Sequence, residues 1–240
     1  MKRSFLIFLA FSLFMLGCGD KSIELKRIAD SAYMSDNIDV AINNYRQSIM
    51  LKPENPATNL QLGALLVDQG KFSEAKPYLQ KAEKLLPNNI LVKYDLARLY
   101  VGEDDADNAM KYFQNCIAMD SNFSMAYNGM GIVYMRQMEM DKAIEWFKKA
   151  IQIDPNFIEA HYNIGIALYR LEKFDDAIAQ FVELTNKWPS FKDAYYNITA
   201  CYRKLKLKTS DKKLQEKYII ESRKYTELYI KYGGVSDMQE

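Results

Sequence analysis

Histidine is nearly absent from this sequence, and cysteine is scarce. His161 stands alone, and Cys18, Cys116 and Cys201 form no CxxC pair and no His/Cys pair at metal-ligand spacing. Neither a zinc site nor a haem attachment can be assembled from them. No GxGxxG segment occurs, and no GxxxxGK followed by Ser or Thr, which removes both common phosphate-cradling loops and with them a bound nucleotide. An excess of either charge is missing as well. Lys and Arg total 32 against 31 Asp and Glu, so the general attraction on which nucleic-acid binding relies is lacking. No cofactor, metal or nucleic acid is therefore expected. What is present is an ordinary globular composition, 49% hydrophobic and 26% charged, at a length of 240 residues that suits one or two domains.

The N-terminus reads as an address. Lys2 and Arg3 precede an apolar run from Phe5 to Leu16, and Gly17-Cys18 closes it with a small residue before a cysteine. The run is shorter than the roughly 20 residues a helix needs to cross a bilayer core, so cleavage is expected rather than a permanent span. Met15-Leu16-Gly17-Cys18 resembles the bacterial lipobox. That resemblance implies a diacylglycerol thioether on Cys18, cleavage before it, acylation of the new amine, and retention on a membrane of the cell envelope, facing the periplasm. Residues 1–17 are thus expected to be a signal peptide, and 18–21 a lipidated cysteine with a short tether.

Self-similarity organises the remainder. Ala41, Ala75, Ala109, Ala143 and Ala177 recur every 34 residues. Four residues after each come Tyr45, Leu79, Phe113, Phe147 and Phe181, and twelve after come Pro53, Pro87, Ser121, Pro155 and Pro189. With the proline set as position 32 of each unit, positions 4, 7, 8 and 11 are apolar or small, as in Tyr127, Met130, Gly131 and Tyr134. That spacing is one helical face. Positions 20, 24 and 27, exemplified by Ala143, Phe147 and Ala150, form a stripe on a second helix after a polar turn such as Gln137 to Asp141. Small residues at 8 and 20 let the two backbones approach, large ones at 4, 11 and 24 fill the crossing, and the proline stops the second helix. Each unit is an antiparallel helix pair.

These residues resemble the tetratricopeptide repeat family, whose motif has Leu-Gly at 7 and 8, Tyr at 11, Ala at 20, Phe or Tyr at 24, Ala at 27 and Pro at 32. The resemblance implies an all-α fold, a right-handed α-α superhelical solenoid. Five repeats would fill 22–191, as 22–55, 56–89, 90–123, 124–157 and 158–191. A sixth, irregular one would occupy 192–233, starting with Tyr195, Ile198, Thr199 and Tyr202 in register. There Arg203 to Lys217 inserts extra residues before a capping helix of about Lys212 to Lys231, which Gly233-Gly234 ends, leaving 234–240 as a flexible tail. Pro77 falls early in the second helix of its unit and is expected to loosen that turn.

The resemblance also implies a non-catalytic protein-interaction scaffold, since repeats and caps leave no second domain for an enzyme. If 4, 7, 8 and 11 face the partner helix, then positions 2, 5, 6, 9, 12 and 13 face away and line a concave groove in stacked repeats. Its candidate partner-binding residues are Tyr94, Arg98, Asn128, Arg136, Tyr162, Asn163, Tyr169, Arg170, Tyr196, Asn197, Arg203 and Lys204. Amides can pair with a ligand's main chain, and tyrosines offer large area at small entropic cost. Position 13 changes from Met34, Asp68 and Gly102 to Arg136, Arg170 and Lys204, a basic rail suited to an acidic peptide or a free carboxylate. The expected function is a membrane-anchored scaffold that binds proteins or peptide segments within an envelope assembly, of the pilus or barrel-assembly kind. The alternative is a non-catalytic adaptor that positions substrates for an envelope protease or peptidoglycan hydrolase.

Other suggestive residues have plainer roles. His161, at position 4, is expected to pack, and Cys116 and Cys201, two whole units apart, to be buried free thiols. The acidic turn of Glu103, Asp104, Asp105 and Asp107 lacks the glycine and the terminal glutamate of a calcium loop. Residues 203–217 hold seven basic and two acidic side chains, either a solvated loop or a surface for anionic lipid or an acidic partner. The carboxylate clamp of chaperone-binding relatives needs Lys at 5 and Asn at 9, and here Lys26 is followed by Asp30.

Overall fold

The computed structural model describes residues 21–235, and every secondary-structure element among them is a helix. Helix α1 covers 21–34. It is followed by α2 (Ile38–Leu51), α3 (Pro56–Asp68), α4 (Phe72–Leu85), α5 (Ile90–Gly102), α6 (Ala106–Met119), α7 (Ser124–Arg136), α8 (Met140–Ile153), α9 (Ile158–Arg170), α10 (Phe174–Lys187), α11 (Lys192–Lys208) and α12 (Lys212–Lys231). Helices α3, α5, α7, α9 and α11 each begin at the first position of an expected repeat or of the sixth.

The chain divides into two compact units between Met119 and Asp120. In the first, α3 packs on α4 and α5 on α6, with α2 against α3 and α4 against α5. In the second, the pairs α7–α8, α9–α10 and α11–α12 are joined through α8 against α9 and α10 against α11. Odd-numbered helices of neighbouring pairs also touch directly, α3 with α5, α7 with α9, and α9 with α11. Within each unit the odd helices therefore form an inner layer that draws together, and the even helices an outer one, which makes the inner side concave.

The core follows the register. The position-20 alanines, Ala41, Ala75, Ala109, Ala143 and Ala177, are fully buried, as are Leu79, Phe147 and Phe181 at position 24. A Cβ on Gly131 would lie 2.4 Å from Phe147 Cε1, so the aromatic ring occupies the space a side chain would need. One expectation is corrected. The deepest stripe on the inner helices is at positions 3, 7 and 10, as in Ala160, Ile164 and Ala167 of α9 and Ala194, Ile198 and Cys201 of α11. At positions 4 and 11, Asn59, Leu66 and Tyr195 are buried, but Tyr127, Tyr134, His161 and Leu168 are only half-buried. An inner helix is wedged into the preceding pair, and the face entering that wedge is covered from two sides.

Two backbone devices repeat with the period. Asp36, Gly70, Asp104, Met138 and Glu172 all have positive φ, between 57° and 68°. In the fourth of these turns Glu139 N donates to Tyr134 O at 2.9 Å and Met138 N to Met135 O at 3.3 Å. This is a Schellman cap, in which the left-handed residue reverses the chain between the two helices of a pair. The second device joins successive pairs. The polar tip at position 4 donates to the carbonyl six residues earlier, from Asn59 to Pro53 at 2.9 Å, Tyr127 to Ser121 at 3.1 Å and Tyr195 to Pro189 at 3.0 Å. His161 Nε2 does the same to Pro155 at 3.1 Å, while its ring lies 5.6 Å from that of Trp188, so the histidine is a packing and tying residue.

Two further expectations are revised. Helix α4 runs unbroken through Pro77, because Pro77 and Ser73 are both exposed and water can satisfy the carbonyl that the proline leaves unpaired. The segment expected as an insertion begins as helix: α11 continues for 17 residues to Lys208 before Asp211 caps α12, accepting from Lys213 N at 2.8 Å. Helix α12 has the expected bounds and ends where Gly233 adopts φ 90° and Gly234 N donates to Tyr229 O. Residues 1–20, with Cys18, and 236–240 lie outside the described residues. Among the described residues no helix is long and apolar enough to cross a membrane.

Candidate partner-binding groove

In the second unit the inner face of α7, α9 and α11 is crossed by polar rungs. Asn163 Nδ2 donates to Asn128 Oδ1 at 3.0 Å, and Asn197 Nδ2 donates to the Tyr162 hydroxyl at 3.0 Å and to Asp193 O at 2.8 Å. Both rungs run from position 6 of one repeat to position 5 of the repeat before it. Arg170 Nη1 reaches Met135 O at 3.5 Å with the same offset. Of the expected groove residues, Asn128 and Asn163, and Tyr162 and Asn197, are thus joined in pairs, and part of their hydrogen-bonding capacity is spent on one another. Asn128 is 7% exposed and serves mainly to hold α9 to α7. The Tyr162 ring lies between Phe181 at 5.8 Å and Phe191 at 5.3 Å, and Tyr169 packs edge-on to Phe174 at 5.4 Å. Burial raises the pKa of both tyrosines. Tyr196, tilted against Tyr229, is 46% exposed and is the aromatic most open to a ligand on this face.

Arg136, Arg170 and Lys204 are all exposed at position 13. Near this rail Glu172 accepts from Lys208 at 2.5 Å. The hydrogen bond and charge of Lys208, with a smaller contribution from Lys204, hold its carboxyl below the usual range. Arg203 instead lines a cleft between α11 and α12.

The first unit is built differently at the same register. The Arg98 guanidinium is bonded to Asp68 and, at 3.1 Å, to Asp95, and it lies 5.8 Å from the Tyr94 ring centroid. Burial works against its charge more than any single contact supports it, but the Asp68 hydrogen bond together with the charges of Asp68 and Asp95 outweighs burial, and the Arg98 pKa is raised. Asp95 is 8% exposed, and burial lifts its carboxyl to about 6 despite the neighbouring guanidinium. Neither Asp68 nor Asp95 is a sequence candidate for the site. The visible signal was the i, i+3 spacing of Asp95 and Arg98 on an inner helix.

The remaining candidates are occupied structurally. Lys26 and Asp30 pair with each other at 2.7 Å. In the acidic turn Glu103 pairs with Lys76 at 2.7 Å and Asp105 accepts from Asn108 N and Nδ2. No group of three metal-ligating side chains occurs among the described residues. Cys116 and Cys201 are buried and free, and burial pushes their thiols up to about 11 and about 12.

Comparisons agree with this architecture. Tetratricopeptide repeat profiles match residues 66–114 and 162–210, and a TPR repeat profile matches 139–172. No curated protein sequence matches significantly. Among solved structures, that of the MamA protein is 30% identical, with a TM-score of 0.57 over 70% of this chain and 92% of its own. A thermophilic TPR protein of Thermus thermophilus has a TM-score of 0.65 at 16% identity, covering 75% of this chain and 98% of its own. YrrB, described as a TPR protein with an unusual peptide-binding site, has a TM-score of 0.50 at 18% identity over 79% and 92%.

Proposed function

Because the chain belongs to the tetratricopeptide repeat family, we propose that it is a non-catalytic scaffold that holds an extended segment of a partner protein in the groove of its second unit. The observation that carries this reading is the ladder of polar rungs, Asn128–Asn163 and Tyr162–Asn197, repeating along the concave face. Such a ladder sets amide and hydroxyl groups at the even spacing of stacked repeats, beside exposed Tyr196 and the Arg136, Arg170 and Lys204 rail. An acidic segment suits the rail. That YrrB, similar in fold, has a peptide-binding site is compatible with this use of the face.

The scaffold would be held on a membrane of the bacterial envelope through lipid on Cys18, because Gly17-Cys18 follows a basic and then apolar leader. There it would serve an envelope assembly. Site-specific photocrosslinking in cells tests the groove: a crosslinker at Tyr196 should capture a partner that one at Lys149, on the outer helix α8, does not. Equal capture at both positions overturns the reading. Cys18→Ser tests the anchor, and unchanged membrane retention with unchanged electrophoretic mobility would rule it out.

A further inference from the structure

Every pair in the second unit except the last is covered by the pair that follows. Phe147 and Ala150 of α8, and Phe181 and Leu184 of α10, at positions 24 and 27, are at most 1% exposed. With the extra turn of α11 allowed for, the corresponding residues of α12 are Ile219 and Ser222, and both are only half-buried. No residue of α12 is fully buried. Where a following inner helix would lie, α11 and α12 leave a cleft of about 610 Å³, lined among others by Arg203, Lys206, Leu207, Ile219, Arg223 and Glu227.

The chemistry of this cleft is not that of an ordinary cap. A capping pair has a polar, self-satisfied outer face. Here Leu207, on the wall of the cleft, is 78% exposed. The α11 and α12 helices with their connection carry eleven basic and five acidic residues in a chain whose formal net charge is +1. Neighbouring cations are paired, Lys208 with Glu172 and Lys224 with Glu221. Lys206 and Arg223 line the cleft and form no ion pair or hydrogen bond among the described residues.

We propose that this terminal cleft is a second docking site, independent of the groove, for an acidic amphipathic helix of a partner protein. That helix would lie where the inner helix of a seventh repeat would lie. Its aliphatic stripe at i, i+3, i+4 and i+7 covers Leu207 and Ile219, and flanking carboxylates meet Lys206 and Arg223. Glu227, the one acid lining the cleft, asks for a single cation on the ligand and so fixes its direction. A second copy of this chain fits less well. The helix it would offer, α1, carries Lys21, Lys26 and Arg27 against Glu24 and Asp30, and Arg27 lies beside the exposed Ile28 that would have to enter.

The test uses the full chain purified in detergent and a side-chain-constrained helical peptide with leucines at i, i+3, i+4 and i+7 flanked by glutamates. Fluorescence anisotropy should show binding that weakens about tenfold or more in Lys206→Glu with Arg223→Glu. Binding should fall likewise in Ser222→Trp, which fills the cleft, and persist in Arg170→Glu with Lys204→Glu, which alters only the groove rail. Circular dichroism checks that each variant is folded. The proposal is overturned if the peptide does not bind, if a lysine-flanked version binds equally, or if the rail variant loses binding to the same extent. A dye on Leu207→Cys that responds to phosphatidylglycerol vesicles and not to the peptide would instead assign the cleft to a lipid surface. Loss of a dimer in the Arg223→Glu chain, without peptide binding, would assign it to a second copy.

Discussion

Gly165 of α9 sits against the ring edge of Phe181 of α10: a Cβ at Gly165 would be 2.4 Å from Phe181 Cε1 and 2.6 Å from its Cζ. The ring is fully buried between Ala194 and Ile198 of the next pair and cannot swing aside without moving α11. Gly165→Ala should therefore destabilise the protein by about 1 kcal/mol, and by no more than about 2 kcal/mol. The helix-propensity gain of about 1 kcal/mol is outweighed by overpacking of about 1–3 kcal/mol. Chemical denaturation measures this, and a midpoint at or above wild type would show that the two helices are not pressed together here.

Ala143, fully buried at position 20, is the other half of such a crossing in the preceding repeat. Ala143→Leu should cost about 1–3 kcal/mol by the same overpacking. A wild-type thermal midpoint would contradict the register.

The register itself was legible because it rests on residue size at fixed spacing. Ala41 to Ala177 and Tyr45 to Phe181 place the five regular helix pairs, and only the sixth departs from them, by the longer α11. The stripe at positions 3, 7 and 10 was less visible, since alanine and valine there look like helix filler until a neighbouring pair covers them. The site was legible as a face and not as a set of contacts. Asn163 and Asn197 repeat at position 6, but one sequence cannot show that each amide reaches back to position 5 of the previous repeat. The cleft at α11 and α12 was hidden for another reason: Lys206 and Arg223 belong to different helices, and a four-residue extension shifts their register.

Met138 adopts φ 64° with its side chain 71% exposed, so nothing but the turn holds it in the left-handed region. That conformation costs a non-glycine residue roughly 1–2 kcal/mol. Met138→Gly relieves the cost while adding unfolded-state entropy of roughly 0.5–1 kcal/mol, so a net gain of about 0.5–1 kcal/mol is expected. Differential scanning calorimetry checks it, and a lower midpoint would mean that the methionine side chain contributes packing.

The thiols of Cys116 and Cys201 should resist alkylation in the native state. With pKa values of about 11 and about 12, the thiolate fraction at pH 8 is about one in a thousand or less. Iodoacetamide should label them only in denaturant, with mass spectrometry locating the adducts. Labelling under native conditions at the rate of a free thiol would show that the pairs α5–α6 and α11–α12 open readily.

Asp95 gives the sharpest pH signature, because two influences on it oppose one another. Burial raises its pKa and the Arg98 guanidinium lowers it, and burial prevails, taking the carboxyl from 3.8 to about 6. A folded-state pKa above the unfolded one means that the native protein binds the proton more tightly. The corresponding stability is full below about pH 4 and is lost as pH rises through 6. At 1.36 kcal/mol per unit, the loss from this one group is about 2–3 kcal/mol. Asp95→Asn removes the ionisation while its amide oxygen can still accept from Arg98, which keeps its Asp68 partner. The variant should match wild type near pH 4 and exceed it in stability at pH 7.5, with a flatter profile between, as urea unfolding across that range would show. The reverse pattern, equal stability at pH 4 and a less stable variant at pH 7.5, would mean that the Arg98 ion pair outweighs burial and that the first unit's inner face is held by charge.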